Sequence, residues 1–75
     1  MQYNLFGQFI KAKREQLGIK QGTFAINSDI EPAILCRIEN LKQDTKLNVL
    51  VKIANGFGLS ASELLKEYEK EYEHI

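Results

Sequence analysis

Seventy-five residues carry ten basic and ten acidic side chains, for a formal net charge of zero; this is the length of one domain, near the lower limit at which a core holds without staples. The single cysteine, Cys36, excludes an internal disulfide, and with the single histidine, His74, it cannot assemble a zinc site of the usual kind, so neither metal nor other cofactor is expected. Met1-Gln2-Tyr3 lacks the basic start and apolar run of a secretory signal and no apolar stretch approaches the ~20 residues that span a bilayer, so a reducing cytoplasm, away from membranes, is the natural setting.

A first helix is predicted from about Asn4, a good N-cap residue, to Leu17, with Gly18 supplying a left-handed exit. Phe6, Ile10 and Leu17, with Leu5 and Phe9 beside them, repeat at helical spacing. Lys11, Lys13, Glu15 and Gln16 fall mainly on the wet side. A second helix is predicted over about Gln21 to Asn27, with Phe24 and Ala25 on its inner face. Asp29 then occupies a tight turn, where aspartate tolerates the left-handed region better than most residues, and Ile30 follows. Pro32 opens a third helix, because its missing N–H would lack a partner at that position anyway; Glu31 is then the cap residue. Leu35 and Ile38 line the inner face, and the helix finishes near Asn40. Thr45 is placed to cap a fourth helix of about Lys46 to Asn55. Leu47, Leu50, Ile53 and Ala54 face inward along it, and Gly56 and Gly58 end it. Ser60-Ala61-Ser62-Glu63 reads as a capping box, starting a fifth helix that continues past Tyr68 to about Tyr72. No linker, repeat or low-complexity segment interrupts the series.

The charges cancel overall but not locally. Residues 1–65 hold eight basic and six acidic side chains, a net of +2, while residues 66–75 hold two lysines and four glutamates, a net of −2. The chain therefore divides into a mildly basic body, residues 1–65, and an acidic helical extension, residues 66–75. A basic body permits nucleic-acid binding without a strong attractive field.

A short amphipathic helix, a tight turn and a second short helix over Gln21 to Glu39 is the pattern of a helix-turn-helix, which places its second helix in the DNA major groove. The landmarks are Gln21, the pair Phe24-Ala25, Ile30 after the turn, and Leu35-Cys36-Arg37-Ile38-Glu39-Asn40. Downstream come Leu47, Leu50, Ile53-Ala54, Phe57-Gly58-Leu59, Ser60 and Glu63-Leu64-Leu65. In these the chain resembles the helix-turn-helix repressors of the Xre and phage Cro/repressor type, over roughly residues 5 to 65, with no single motif carrying the likeness. It departs from them at Asp29, where that family usually has glycine, at Leu41, where it often has a C-terminal glycine, and at Thr45, where it often has proline.

The resemblance implies an all-α, compact bundle of five short helices around a central helix-turn-helix, the lambda repressor-like DNA-binding domain. It also implies a sequence-specific transcriptional regulator of bacterial or phage type, a repressor that acts by occupying an operator on double-stranded DNA. Arg14 and Glu39 match positions that the family joins as an ion pair between helix one and the end of the reading helix. A planar guanidinium suits a bidentate carboxylate grip. Gln21 matches a residue that grips a DNA phosphate, at a helix start that favours an anion. Pro32, Ala33 and Arg37 match the base-reading positions. Arg37 suits guanine O6 and N7, and Ala33, with Ile34 on the flank, suits a thymine methyl. Neither Pro32 nor Ala33 offers a donor, and Asp29 and Glu31 bring negative charge near phosphates, so the face reads few bases. Lys42, Gln43 and Lys46 match the segment that holds the DNA backbone.

Two further readings stay open on the sequence. Leu65, Tyr68, Tyr72 and Ile75 follow 3-4-3 spacing, which suits either a partner face, for a second copy of the chain or another protein, or a helix packed back on the core. The alternative to a regulator is a protein-interaction module on the same scaffold, antitoxin-like or an anti-repressor component. No enzyme is expected: Cys36 and His74 have no companions for catalysis, and no nucleophile–base pair or paired carboxylates can be assembled.

Overall fold

The computed structural model describes residues 5–72, and these form five helices in chain order. They are α1 (Phe6–Gln16), α2 (Gln21–Asn27), α3 (Pro32–Glu39), α4 (Leu47–Gly56) and α5 (Ala61–Tyr72). No strand occurs among the described residues, so the fold is the all-α bundle that the periodicity predicts.

The first four helices stop by one device. A residue with positive φ follows each of them: Gly18 (71°), Asp29 (60°), Leu41 (60°) and Gly58 (75°). In each case the N–H one residue further on bonds back across the last turn. The four bonds are Ile19 to the Arg14 carbonyl at 3.1 Å, Ile30 to Ala25 at 2.9 Å, Lys42 to Arg37 at 2.9 Å and Leu59 to Ala54 at 2.9 Å. This left-handed cap satisfies carbonyls that a helix end would otherwise leave unpaired. Glycine enters the left-handed region without a Cβ clash, and aspartate enters it fairly readily. Leucine at position 41 costs about 1–2 kcal/mol there, so the turn after α3 is held by its surroundings.

The helix starts differ more from expectation. Asn4 lies outside the described residues, and α1 begins at Phe6 with Leu5 at the cap position. Thr45 does not cap α4: Lys46 occupies that position, makes no side-chain cap bond, and the helix begins at Leu47. Pro32 does open α3, with Glu31 before it in extended conformation and no side-chain cap. At α5 the capping box is complete, with the Ser60 N–H donating to Glu63 Oε1 at 2.8 Å and the Glu63 N–H donating to Ser60 Oγ at 3.2 Å.

Phe6, Phe9 and Ile10 of α1, Phe24 and Ala25 of α2, Ile30 of the turn, Leu35 and Ile38 of α3, Ile53 and Ala54 of α4, and Leu64 and Tyr68 of α5 form the core. Two residues expected inside are outside. Leu17 is 58% exposed and Leu47 75% exposed. Leu17 is the cap residue after α1 and has left the buried stripe, while Leu47 is the first residue of α4, whose burial is complete only at Ile53 and Ala54. The helices approach closely at two glycines. A Cβ on Gly7 would strike the Ile38 carbonyl, and one on Gly56 would strike the buried Ser28 hydroxyl and come within 3.1 Å of the Phe24 ring. Only hydrogen fits there.

The stripe on α5 turns inward. Tyr68 is 1% exposed and meets Phe6 and Phe9 edge-on, with ring centroids 5.8 and 5.5 Å away. Tyr72 stacks on Tyr68 at 5.0 Å and meets Phe9 edge-on at 6.0 Å, and Leu65 packs partly buried against the core. Of the two readings left open for this stripe, the packed-back one describes Tyr68, which α1 covers and which fills space between Phe6 and Phe9, while Leu65 and Tyr72 stay half-buried. Ile75 lies outside the described residues. The fifth helix runs through residue 65 to Tyr72, the span expected of it.

Two outcomes follow. Tyr68→Ala should lower the unfolding free energy by about 3–5 kcal/mol, as measured by urea titration, and a change near zero would mean that α5 beyond residue 65 is not part of the cooperative unit. The Glu63 carboxyl is held below the usual carboxylate range, first by the Ser60 backbone N–H and then by the Ser60 hydroxyl. A depressed folded-state pKa gives stability that is present above the unfolded value and lost as pH falls through the folded one. The stability gap between wild type and Glu63→Ala should thus be full at neutral pH and close in acid, as read from melts across pH.

Candidate nucleic-acid interface

One buried carboxylate ties α1, the start of α2 and α3 together. Arg14 is 6% exposed and Glu39 3% exposed. Arg14 Nε donates to Glu39 Oε2 at 2.9 Å and Arg14 Nη2 to Glu39 Oε1 at 2.9 Å, a two-pronged grip between α1 and the last residue of α3. The remaining Arg14 terminal nitrogen, Nη1, donates to the Ile19 carbonyl at 2.7 Å, and Gln21 Nε2 gives the Glu39 carboxylate its third bond, to Oε1 at 2.9 Å. The Glu39 hydrogen bond raises the Arg14 pKa above its ordinary value, outweighing the opposing effect of burial. Burying two charges is tolerable only with such dense hydrogen bonding.

The Gln21 amide N–H is thus directed inward, to the same carboxylate that fixes α3. This link between the start of α2 and the end of α3 was not legible in the sequence, because it is a side-chain contact between residues eighteen apart. Nothing in the pattern announced the Ile19 carbonyl as a partner of Arg14 either.

Beneath the outer surface of α3, Leu35 and Ile38 are buried, while Pro32, Ala33 and Arg37 are exposed and Ile34 and Cys36 half-buried. Ala33 and Arg37 are four residues apart and share one face. Arg37 Nε donates to Gln43 Oε1 at 2.8 Å, which brings together two of the residues singled out in the sequence. Lys42 and Lys46 are exposed on either side of half-buried Gln43. Cys36 accepts a long 3.4 Å contact from the Asn40 amide. Lys13 is engaged inside the fold, 2.7 Å from Glu67 and above the Phe57 ring at 5.3 Å, whereas Lys11 is exposed. His74 lies outside the described residues. Among the described residues no group of three or more His, Cys, Asp or Glu side chains is placed to hold a metal, and no helix is long and apolar enough to cross a membrane.

Glu39→Ala should cost about 3–5 kcal/mol, because it strands the Arg14 guanidinium inside the protein. A denaturant titration that finds almost no loss would reduce the pair to a surface contact.

A helix-turn-helix family profile matches residues 10–64. Over 61 residues the chain is 36% identical to the control protein C.MunI of a Mycoplasma species, a match that spans 81% of this chain and 82% of that protein. No solved structure matches the chain.

Proposed function

The chain belongs to the helix-turn-helix family and is a DNA-binding transcription regulator, and from that premise we propose that it represses by occupying an operator, with α3 in the major groove. The observation that carries this reading is the outward Ala33–Arg37 face of α3, whose inner face is buried and whose last residue is pinned to α1. Arg37 reads a guanine through its guanidinium. Ala33, with Pro32 beside it, gives close apolar approach to the groove. Lys42 and Lys46 after α3, with the one N–H of the Gln21 amide that Glu39 does not take, hold the sugar–phosphate backbone and set the register. Two copies on a near-palindromic site would place their reading helices about 34 Å apart. The Mycoplasma relative is a control protein, which supports a regulatory role, and the cytoplasm is the compartment where such DNA is met.

Duplexes recovered by selection from random oligonucleotides test the proposal. Affinity should fall with salt at a slope of roughly −0.9 per phosphate neutralised. Arg37→Ala should cost about 1–3 kcal/mol on the selected duplex and relax preference at one base pair. Lys42→Ala should weaken all duplexes alike and shallow the slope by about 1. Recovery of no preferred sequence, or binding indifferent to salt, would overturn operator occupancy.

A further inference from the structure

We propose that Gln43 is a positioning residue for base readout: its side-chain oxygen holds Arg37 by Nε, so that the two terminal nitrogens of the guanidinium present their edge to a guanine. The inference rests on Arg37 reading a base, as proposed above.

The geometry begins in the backbone. Leu41 adopts φ 60°, and the reversal lets the Lys42 N–H bond to the carbonyl of Arg37 itself at 2.9 Å. The chain after α3 is thereby folded back to the level of Arg37, and the next residue, Gln43, meets the Arg37 side chain at 2.8 Å. Gln43 is half-buried and lines a groove with Ile38, Leu41 and Leu50, whereas Arg37 is exposed. The better-anchored partner therefore steadies the freer one. The uncommon left-handed leucine acquires a use: without that turn Gln43 could not lie beside a residue six positions earlier.

The chemistry of the acceptor matters as much as its place. A guanidinium has five N–H donors in a fixed fork. Gln43 takes the Nε edge, which leaves Nη1 and Nη2 side by side, matched to guanine O6 and N7. A neutral amide orients the arginine without cancelling its charge. Arg14 shows the opposite case in the same molecule: a carboxylate takes two of its donors and keeps it inside the fold.

The test uses the whole chain and the duplex that wild type selects from random oligonucleotides, with each single base-pair substitution of it. Gln43→Ala, and Gln43→Met (similar in length but without the oxygen), should lose about tenfold discrimination at the one base pair that Arg37→Ala also relaxes. Affinity for unrelated duplex and the salt slope should stay unchanged, and neither substitution should add to the loss in an Arg37→Ala background. The idea fails if both variants weaken all duplexes equally and shallow the salt slope, since Gln43 would then be holding a phosphate. It fails equally if discrimination is untouched or if the losses are additive. Arg37→Ala without effect on any base pair would remove the base-reading role of Arg37 itself, and Gln43's with it. Relaxation by Arg37→Ala but not by the Gln43 variants would remove only the positioning role. Thermal melts separate either result from a folding defect.

Discussion

The Glu39 carboxylate is the constraint on which the rest depends. It accepts from two nitrogens of Arg14 and from Gln21, so three elements that are separate in sequence converge on one side chain: α1, the start of α2 and the end of α3. An ion pair of this kind is not primarily a source of stability, since desolvation offsets much of its Coulomb energy. Its value is directional. A bidentate grip fixes both distance and orientation, and here it fixes the helix whose outer face is proposed to meet a groove. The apolar contacts of Leu35 and Ile38 hold α3 against the core but say little about its rotation or slide along its axis. Glu39, at the last position of the helix, supplies that missing specification.

Backbone geometry carries the same logic outward. Repeating one cap at the ends of α1, α2, α3 and α4 makes each change of direction abrupt and defined, and the helix-turn-helix angle follows from the cap at Asp29. At Leu41 the fold accepts an unfavourable residue to keep the device. Its reward is a short reversal that returns Lys42 and Gln43 to the end of α3, with Gln43 against Arg37. Local strain of this sort persists where surrounding contacts over-determine the conformation. Gly7, against the Ile38 carbonyl, is one such contact, because it lets α1 sit directly on that end of α3.

How much of this could be read in advance depends on the range of the interaction. The spans of α2, α3 and α5, the proline start, the Asp29 turn and the Ser60–Glu63 box are local events, and the sequence signals them locally. Core residues on strongly periodic stretches, such as Phe6, Ile10, Leu35 and Ile53, were equally clear. Leu17 and Leu47 misled because a helical pattern says which face a residue shares but not where its neighbours run out. The α5 stripe was ambiguous for the complementary reason: Tyr68 at helical spacing looks the same whether α1 or another chain covers it, and the aromatic surface of Phe6 and Phe9 decides the matter. The pairing of Arg14 with Glu39 was foreseen through resemblance to a family. Gln21's turn toward Glu39 and Arg37's toward Gln43 were not, because short polar contacts between separate segments leave no periodic trace.

Electrostatics explain why so much precision is built into a chain with no net charge. Arg14, Lys13 and Lys52 are occupied by Glu39, Glu67 and Asp29, the last pair being long at 3.5 Å and exposed. Among the described residues, Lys20, Arg37, Lys42 and Lys46 form no salt bridge, and they sit before α2 or on and just after α3. Gln21's bond to Glu39 joins those two regions. Screening confines each charge to about 8 Å at physiological ionic strength, so a phosphate feels chiefly the charges nearest to it. Exposed Glu31 and Asp44 subtract from the local excess. With so modest a field, attraction alone cannot hold α3 in register on a duplex. On the proposed reading, orientation of individual donors has to supply what charge does not, which gives a buried carboxylate behind α3 and a neutral amide beside Arg37 more weight than they would have in a strongly basic protein.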